Sequence, residues 1–128
     1  MVKLLIIADD FTGALDTGIQ FKKRGISTQI FTKTRIEDNE IETDTEVLVI
    51  DSESRPLSKE EAYLEVQSIA RWAISKGIGI IFKKTDSALR GNIGAELKAV
   101  ADAAEEGNVF FIPGYPEIHR ITKNGMHY

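Results

Sequence analysis

The sequence predicts an α/β protein built on a doubly wound, parallel sheet, and three observations predict it. Apolar β-branched runs alternate with stretches of helical period along the chain. The opening run, Lys3 to Ala8, is apolar almost without a break, as in a strand buried on both faces. The connections between runs are long enough for right-handed helical crossovers, which parallel strands require. The 128 residues suit one domain, large enough to bury roughly two-thirds of its unfolded surface.

Lys3 to Ala8 is the first strand. A helix is expected from about Thr12 to Arg24, with Phe11, Leu15, Ile19 and Phe21 as its apolar stripe. It ends on Lys22-Lys23-Arg24 followed by Gly25, cations and a glycine where a helix C-terminus favours them. The second strand covers Ser27 to Phe31. Residues 33 to 44 carry five acids and two bases, a net of −3, and read as a solvated connection. The third strand is Glu46 to Ile50, ending at Asp51. Ser58-Lys59-Glu60-Glu61 is a capping box, and the helix it opens lines one face with Ala62, Val66, Ile69, Ala70 and Ala73 before Gly77. Trp72 belongs to that helix as a packing residue. The fourth strand is Ile78 to Phe82. A third helix runs from about Asn92 to Glu105, with Leu97, Val100, Ala101 and Ala104 as its buried side. Val109 to Ile112 is the fifth strand. The expected sheet is flavodoxin/Rossmann-like, in the order 2-1-3-4-5. Pro113 to Tyr128 has no helical period, and Asn124-Gly125 is a hairpin turn with little chain left to return. The expectation is a domain incomplete at its C-terminus.

Charge and composition remove several function classes. Sixteen Lys and Arg against twenty Asp and Glu give a formal net charge of −4, without the basic excess that phosphate backbones demand, so no nucleic-acid partner is expected. No apolar run approaches the ~20 residues of a membrane span, and the apolar start meets Asp9-Asp10 without a cleavage-site pattern. Cysteine is absent, which excludes disulfides, thiolate metal sites and cysteine nucleophiles and points to a cytoplasmic setting. His119 and His127 lack metal-ligand company, so no metal site is expected. Neither G-x-x-x-x-G-K-[ST] nor G-x-G-x-x-G occurs.

Open α/β sheets bind ligands beyond the carboxyl ends of their strands. There the first strand gives Asp9-Asp10-Phe11-Thr12-Gly13, the third Asp51-Ser52-Glu53-Ser54-Arg55, and the fourth Lys83-Lys84-Thr85-Asp86-Ser87 followed by Leu89-Arg90-Gly91-Asn92. With those strands adjacent, carboxylates, hydroxyls and cations converge on one cleft suited to a small polyhydroxylated acid. Asp9 and Asp10 can accept from sugar hydroxyls, and one can serve as general base. Arg55, Lys84 and Arg90 can meet a carboxylate, Arg with a bidentate fork. The backbone N–H groups of the third helix, near Gly91-Asn92, add an anion-facing end. Plainer roles compete: Asp10 or Thr12 as a helix cap, Arg55 as a loop residue, and Lys83 as a strand residue laying its stem over the sheet edge.

Two families share features with these blocks. Paired acids Asp9 and Asp10 with Asp51 after the third strand imitate a response-regulator receiver, a phospho-accepting signalling domain. The imitation stops after the fifth strand, where Phe110-Phe111-Ile112-Pro113-Gly114 stands in place of Lys-Pro. The longer match is to the four-carbon acid sugar kinase family, which the blocks Ile7 to Ala14, Asp51 to Arg55 and Lys83 to Glu96 resemble in order. Pro113-Gly114-Tyr115-Pro116 and Arg120 also fit that pattern, with His119 where the family has glycine. The resemblance implies the amino-terminal, acid-sugar-binding domain of an ATP-dependent kinase acting on the terminal hydroxyl of threonate, erythronate or 3-oxo-tetronate. It implies substrate binding by Asp9, Asp10, Arg55, Lys84, Thr85, Asp86, Ser87 and Arg90, with Asp10 and Asp86 as the catalytic pair. ATP and Mg²⁺ would be held by a carboxy-terminal domain absent from these 128 residues, leaving the chain inactive alone. The expected partner is a small sugar acid, with self-association open.

Overall fold

A computed structural model describes all residues from Met1 to Tyr128. The elements follow in the order β1 (Leu4–Ala8), α1 (Phe11–Lys22), β2 (Thr28–Phe31), β3 (Val47–Asp51), α2 (Lys59–Ser75), β4 (Ile80–Lys84) and α3 (Ile93–Ala104). A short antiparallel pair, β5 (Thr122–Lys123) and β6 (Met126–His127), closes the chain. Single 3₁₀ turns stand at Asp38–Glu40 and Pro116–Ile118.

Four parallel strands form the sheet, in the order β2-β3-β1-β4. The α/β class holds, while the expected order 2-1-3-4-5 is corrected. The chain leaves β1 through α1 and skips a position, so β3 inserts between β1 and β2. Burial explains the assignment: β3 is buried throughout, whereas β2, with Thr28 and Gln29, is only half-buried and takes the edge. Helix α1 covers one face over Ile6, Ala8, Val47 and Val49, with Ala14 in its contact. Helices α2 and α3 cover the other, where Val66, Ile69, Ala70, Ala73 and Ala99 meet Leu5, Ile7, Leu48 and Ile50.

The capping box forms as its sequence dictates, Ser58 Oγ accepting from Glu61 N at 3.2 Å and Glu61 Oε2 from Ser58 N at 3.0 Å. Trp72 packs partly buried against the larger core. Asn124 and Gly125 both take positive φ, the backbone a tight two-residue hairpin needs. His119 adopts φ +61, so it keeps the left-handed backbone that favours glycine, and histidine is among the residues that tolerate it.

Two further expectations are corrected. Val109 to Ile112 joins no ladder; Phe110 is 97% and Ile112 85% exposed. Helix α3 is also rotated from its expected facing, burying Ala95, Glu96 and Ala99, while Ala104 is exposed. A buried lysine on β4 draws Glu96 inward, a charge attraction that apolar periodicity does not register.

Candidate functional site

Register brings the polar blocks to one level. Ala8 stands opposite Asp51 on one side and Lys84 on the other, so the residues that follow emerge together at the carboxyl end of the sheet. The adjacent strands β3, β1 and β4 therefore deliver their tips side by side, as expected, with β1 in the middle.

Arg55 is the hub of the cluster. Its Nε donates to Asp9 Oδ2 at 2.8 Å, its Nη1 meets Asp10 Oδ2 at 2.9 Å, and its Nη2 lies 3.6 Å from Asp86 Oδ1. One guanidinium thus binds both carboxylates that follow β1, Asp9 and Asp10, and reaches the carboxylate following β4. Those carboxylates, Asp9 foremost through its hydrogen bond, hold Arg55 above its ordinary pKa. Gly91 permits this closeness: its φ is +88, and an added Cβ would sit 3.2 Å from Arg55 Cγ. The plain loop role for Arg55 is set aside by this geometry.

Asp86 is the most heavily bonded acid. Arg90 donates from Nε to Oδ2 at 2.7 Å and from Nη2 to Oδ1 at 2.9 Å, while the Ala88 and Arg90 backbone N–H groups also donate to Oδ2. Arg90's hydrogen bonds, chiefly, hold the Asp86 carboxyl well below the usual carboxylate range despite its burial. Arg90 itself is 66% exposed, so its outer face is free for a ligand.

Asp10 does two jobs. Its Oδ1 accepts from Gly13 N at 2.8 Å, making it the N-cap of α1, and its Oδ2 takes Arg55. Capping and site membership, posed as alternatives by the sequence, coexist. Lys84 Nζ donates to the Thr85 carbonyl at 2.7 Å and lies close to Gly13 at the start of α1. Ser87 is met from the C-terminal segment, where Arg120 Nη1 donates to its Oγ at 2.5 Å and His127 Nε2 lies 2.7 Å from its carbonyl oxygen. Asp10, Arg55, Lys84, Thr85, Asp86, Ser87 and Arg90 all line the polar end of one open groove of about 1390 Å³. That volume exceeds an ordinary small-ligand pocket, so a small ligand would fill only part of it.

Asp51 does not join them. It is 1% exposed, its Oδ1 accepts from Glu53 N at 3.0 Å, and its Oδ2 has no partner. Burial, with Glu53, Asp10 and Asp9 adding repulsion, pushes its carboxyl up. A phospho-accepting aspartate must be open to its donor, so the receiver-like alternative fails here as well as in strand order.

Sequence reasoning missed a buried layer beneath the cluster. Lys83 Nζ and Glu96 Oε2 are 2.7 Å apart with both side chains almost wholly buried, and Glu96 Oε1 accepts from Ser54 Oγ at 2.7 Å. Lys83 is therefore no stem over the sheet edge. Its place directly after the apolar Ile80-Ile81-Phe82, still within β4, was the available signal. The start of α3 also differs from its expected use: Asn92 Nδ2 donates to the Ser54 and Leu57 carbonyls, tying down the β3–α2 loop.

The geometry can be set beside known proteins. Residues 4–128 match the profile of a family described as sugar-binding N-terminal domain. A D-threonate kinase from Salmonella typhimurium (strain LT2) is 34% identical over 125 residues, covering 97% of this chain and 29% of that protein. A D-erythronate kinase from Heliobacterium modesticaldum is 34% identical over 126 residues, covering 98% and 29%. A 3-oxo-tetronate kinase from Escherichia coli (strain K12) is 30% identical over 130 residues, covering 98% and 33%. The chain thus spans about three-tenths of the length of these curated relatives. A crystal structure of a domain of unknown function from Bordetella bronchiseptica, a domain-swapped dimer with bound citrate, superposes with a TM-score of 0.89 at 31% identity. That match covers 98% of this chain and 32% of the other.

Proposed function

Because the chain belongs to the family of sugar-binding N-terminal domains, we propose that the strand-tip cluster binds a four-carbon sugar acid. In this reading residues 1–128 are the acid-sugar domain of an ATP-dependent kinase that phosphorylates the terminal hydroxyl of threonate, erythronate or 3-oxo-tetronate. The relatives' kinase names support the substrate class. The observation that carries the reading is the convergence of three carboxylates on Arg55, beside an Arg90 whose outer face is exposed.

The fork of Arg55 is taken up by the protein's own acids, so its role is to align them rather than to grip the ligand. The substrate carboxylate falls to Arg90, through its exposed face, and to Lys84. Hydroxyls of the sugar are met by Asp10, Thr85 and Ser87, while Asp9, expected among them from the sequence, is buried away from the groove and acts through Arg55. Of the proposed catalytic pair, Asp86 is held too strongly ionised to take a proton readily, and it orients the reacting end. Asp10 is the more open of the two and takes the hydroxyl-facing role.

ATP and Mg²⁺ belong to the same proposal but not to these residues. No group of three or more metal-ligating side chains is arranged to hold a metal ion, and the clustered carboxylates are already neutralised by Arg55 and Arg90. In a kinase the nucleotide must be gripped and aligned with the hydroxyl, which here falls to residues outside the 128. An ATP-linked reaction and a cysteine-free chain support a cytoplasmic setting, and the swapped dimer of the Bordetella protein supports self-association.

The test is calorimetry with threonate, erythronate and the corresponding neutral tetritol. Losing the carboxylate is expected to weaken binding roughly 30-fold or more, since a charged contact is lost. Equal affinity for acid and tetritol would refute the carboxylate role. Incubation with Mg²⁺ and labelled ATP is expected to transfer no label to the sugar acid from this chain alone.

A further inference from the structure

We propose that Glu96, with Lys83, is a positioning residue that sets where Arg55 stands relative to the tip of β4. The inference rests on the reading of the strand-tip cluster as a sugar-acid site.

Glu96 is the side chain that bonds both parts of the cluster. Its Oε1 accepts from Ser54, the residue before Arg55, at 2.7 Å, and its Oε2 pairs with Lys83, the residue before Lys84, at 2.7 Å. Lys83 Nζ in turn donates to the Lys84 carbonyl at 2.8 Å. From Ser54 the chain of contacts continues inward, with Ser52 Oγ 2.8 Å from both Ser54 Oγ and the carbonyl oxygen of Ala8, the last residue of β1. The loop carrying Arg55, the strand carrying Lys84 and the strand preceding Asp9 are therefore joined under the site by one continuous polar path.

The direct contact across the top is weak by comparison. Arg55 to Asp86 is 3.6 Å, the longest of the three Arg55 contacts. Asn92 and the bond from the Arg55 N–H to the Asp9 carbonyl also hold the loop, but neither reaches β4. The side-chain tie that joins loop and β4 comes from below. Burying an ion pair with side chains 3% and 2% exposed is a poor route to stability, since apolar replacements of similar volume are often neutral or better. Geometry is the benefit this pair supplies: two carboxylate oxygens, fixed in place, each dictate the position of a different segment.

Three variants of the 128-residue chain test this: Lys83→Met with Glu96→Leu, Ser54→Ala, and Ser54→Thr. The double variant trades the pair for apolar volume, and Ser54→Ala removes one hydroxyl while leaving the pair intact. The readouts are the exchange rate of the Arg55 Nε proton by NMR, without ligand, and threonate affinity by calorimetry. Both the double variant and Ser54→Ala are expected to melt cooperatively, speed Arg55 Nε–H exchange about tenfold, and weaken threonate about tenfold. Ser54→Thr keeps the hydroxyl but adds a methyl at a fully buried position, so it is expected to lose some stability while Arg55 Nε–H exchange below the melt stays with the parent's. Unchanged Arg55 exchange in Ser54→Ala, or in a folded double variant, overturns the proposal. If the parent chain binds no threonate, the sugar-acid reading falls, while Arg55 exchange still decides the positioning role.

Discussion

The strand-tip cluster and the segment after α3 both lie along the open groove, yet they are held in opposite ways. In the cluster every proposed charged group is engaged by a neighbour, and Arg55 alone touches three acids from two strand ends. In the segment, Val109, Phe110, Phe111 and Ile112 present apolar side chains to solvent beside an edge strand whose Ile80 and Phe82 are also exposed. The cluster is polar and ordered by its own bonds. The segment is apolar and lacks a ladder. A site built from charges carries its own partners, whereas an apolar strand needs another strand before its pattern has any consequence.

The largest expected break falls on the hub. Arg55→Ala strips Asp9 of its one side-chain partner while leaving it buried, and leaves Asp10 and Asp86 facing each other with less compensation. Breaking a pair of this kind by removing one member costs about 3–5 kcal/mol. Urea denaturation checks it, and a loss under about 1 kcal/mol would mean that the cluster is solvated like a surface patch.

A smaller and sharper test uses the two buried acids with opposed surroundings. Asp86 is held ionised by Arg90, so its stabilising contribution is fully present above the ordinary carboxylate pKa and is lost as pH falls toward its depressed value. Asp51 is raised by burial, so it favours the folded state most at low pH, and that contribution is lost as pH rises through its elevated value. Asp86→Asn is therefore expected to destabilise by about 1–2 kcal/mol at neutral pH, and Asp51→Asn to stabilise by up to about 1 kcal/mol. The Asp86→Asn difference should shrink as pH falls below about 4, whereas the Asp51→Asn difference should shrink earlier, as pH falls through the elevated value of Asp51. Urea midpoints across that range decide the matter, and the same sign for both variants would contradict it.

The contrast also explains what could be read in the sequence. The blocks at Asp9, Arg55 and Lys84 were legible because strands carry their polar residues to one end, whichever neighbours they pair with. Strand order was not, since apolar runs record burial but not adjacency, and only the weaker polarity of Thr28 and Gln29 hinted that β2 is an edge. The inward turn of Glu96 escaped because periodicity counts an acid as outward-facing, and the lysine that reverses this lies on another element. Val109 to Ile112 has the composition of a strand, but composition does not supply a hydrogen-bonding partner.

The smallest expected effect falls on that segment. Phe110 is 97% exposed, so Phe110→Ser removes almost no buried area and is expected to change stability by no more than about 0.5 kcal/mol. The measurement has force because the alternative is quantitative. If the segment pairs along the exposed edge of β4 in solution, Phe110 becomes part of a ladder beside Ile80 or Phe82, and serine there forfeits a buried aromatic as well as strand propensity. The loss would then exceed about 1 kcal/mol. Thermal melts of Phe110→Ser against the parent separate the two, and a large loss would mean that the two regions are both held by partners, one by charge and the other by a strand.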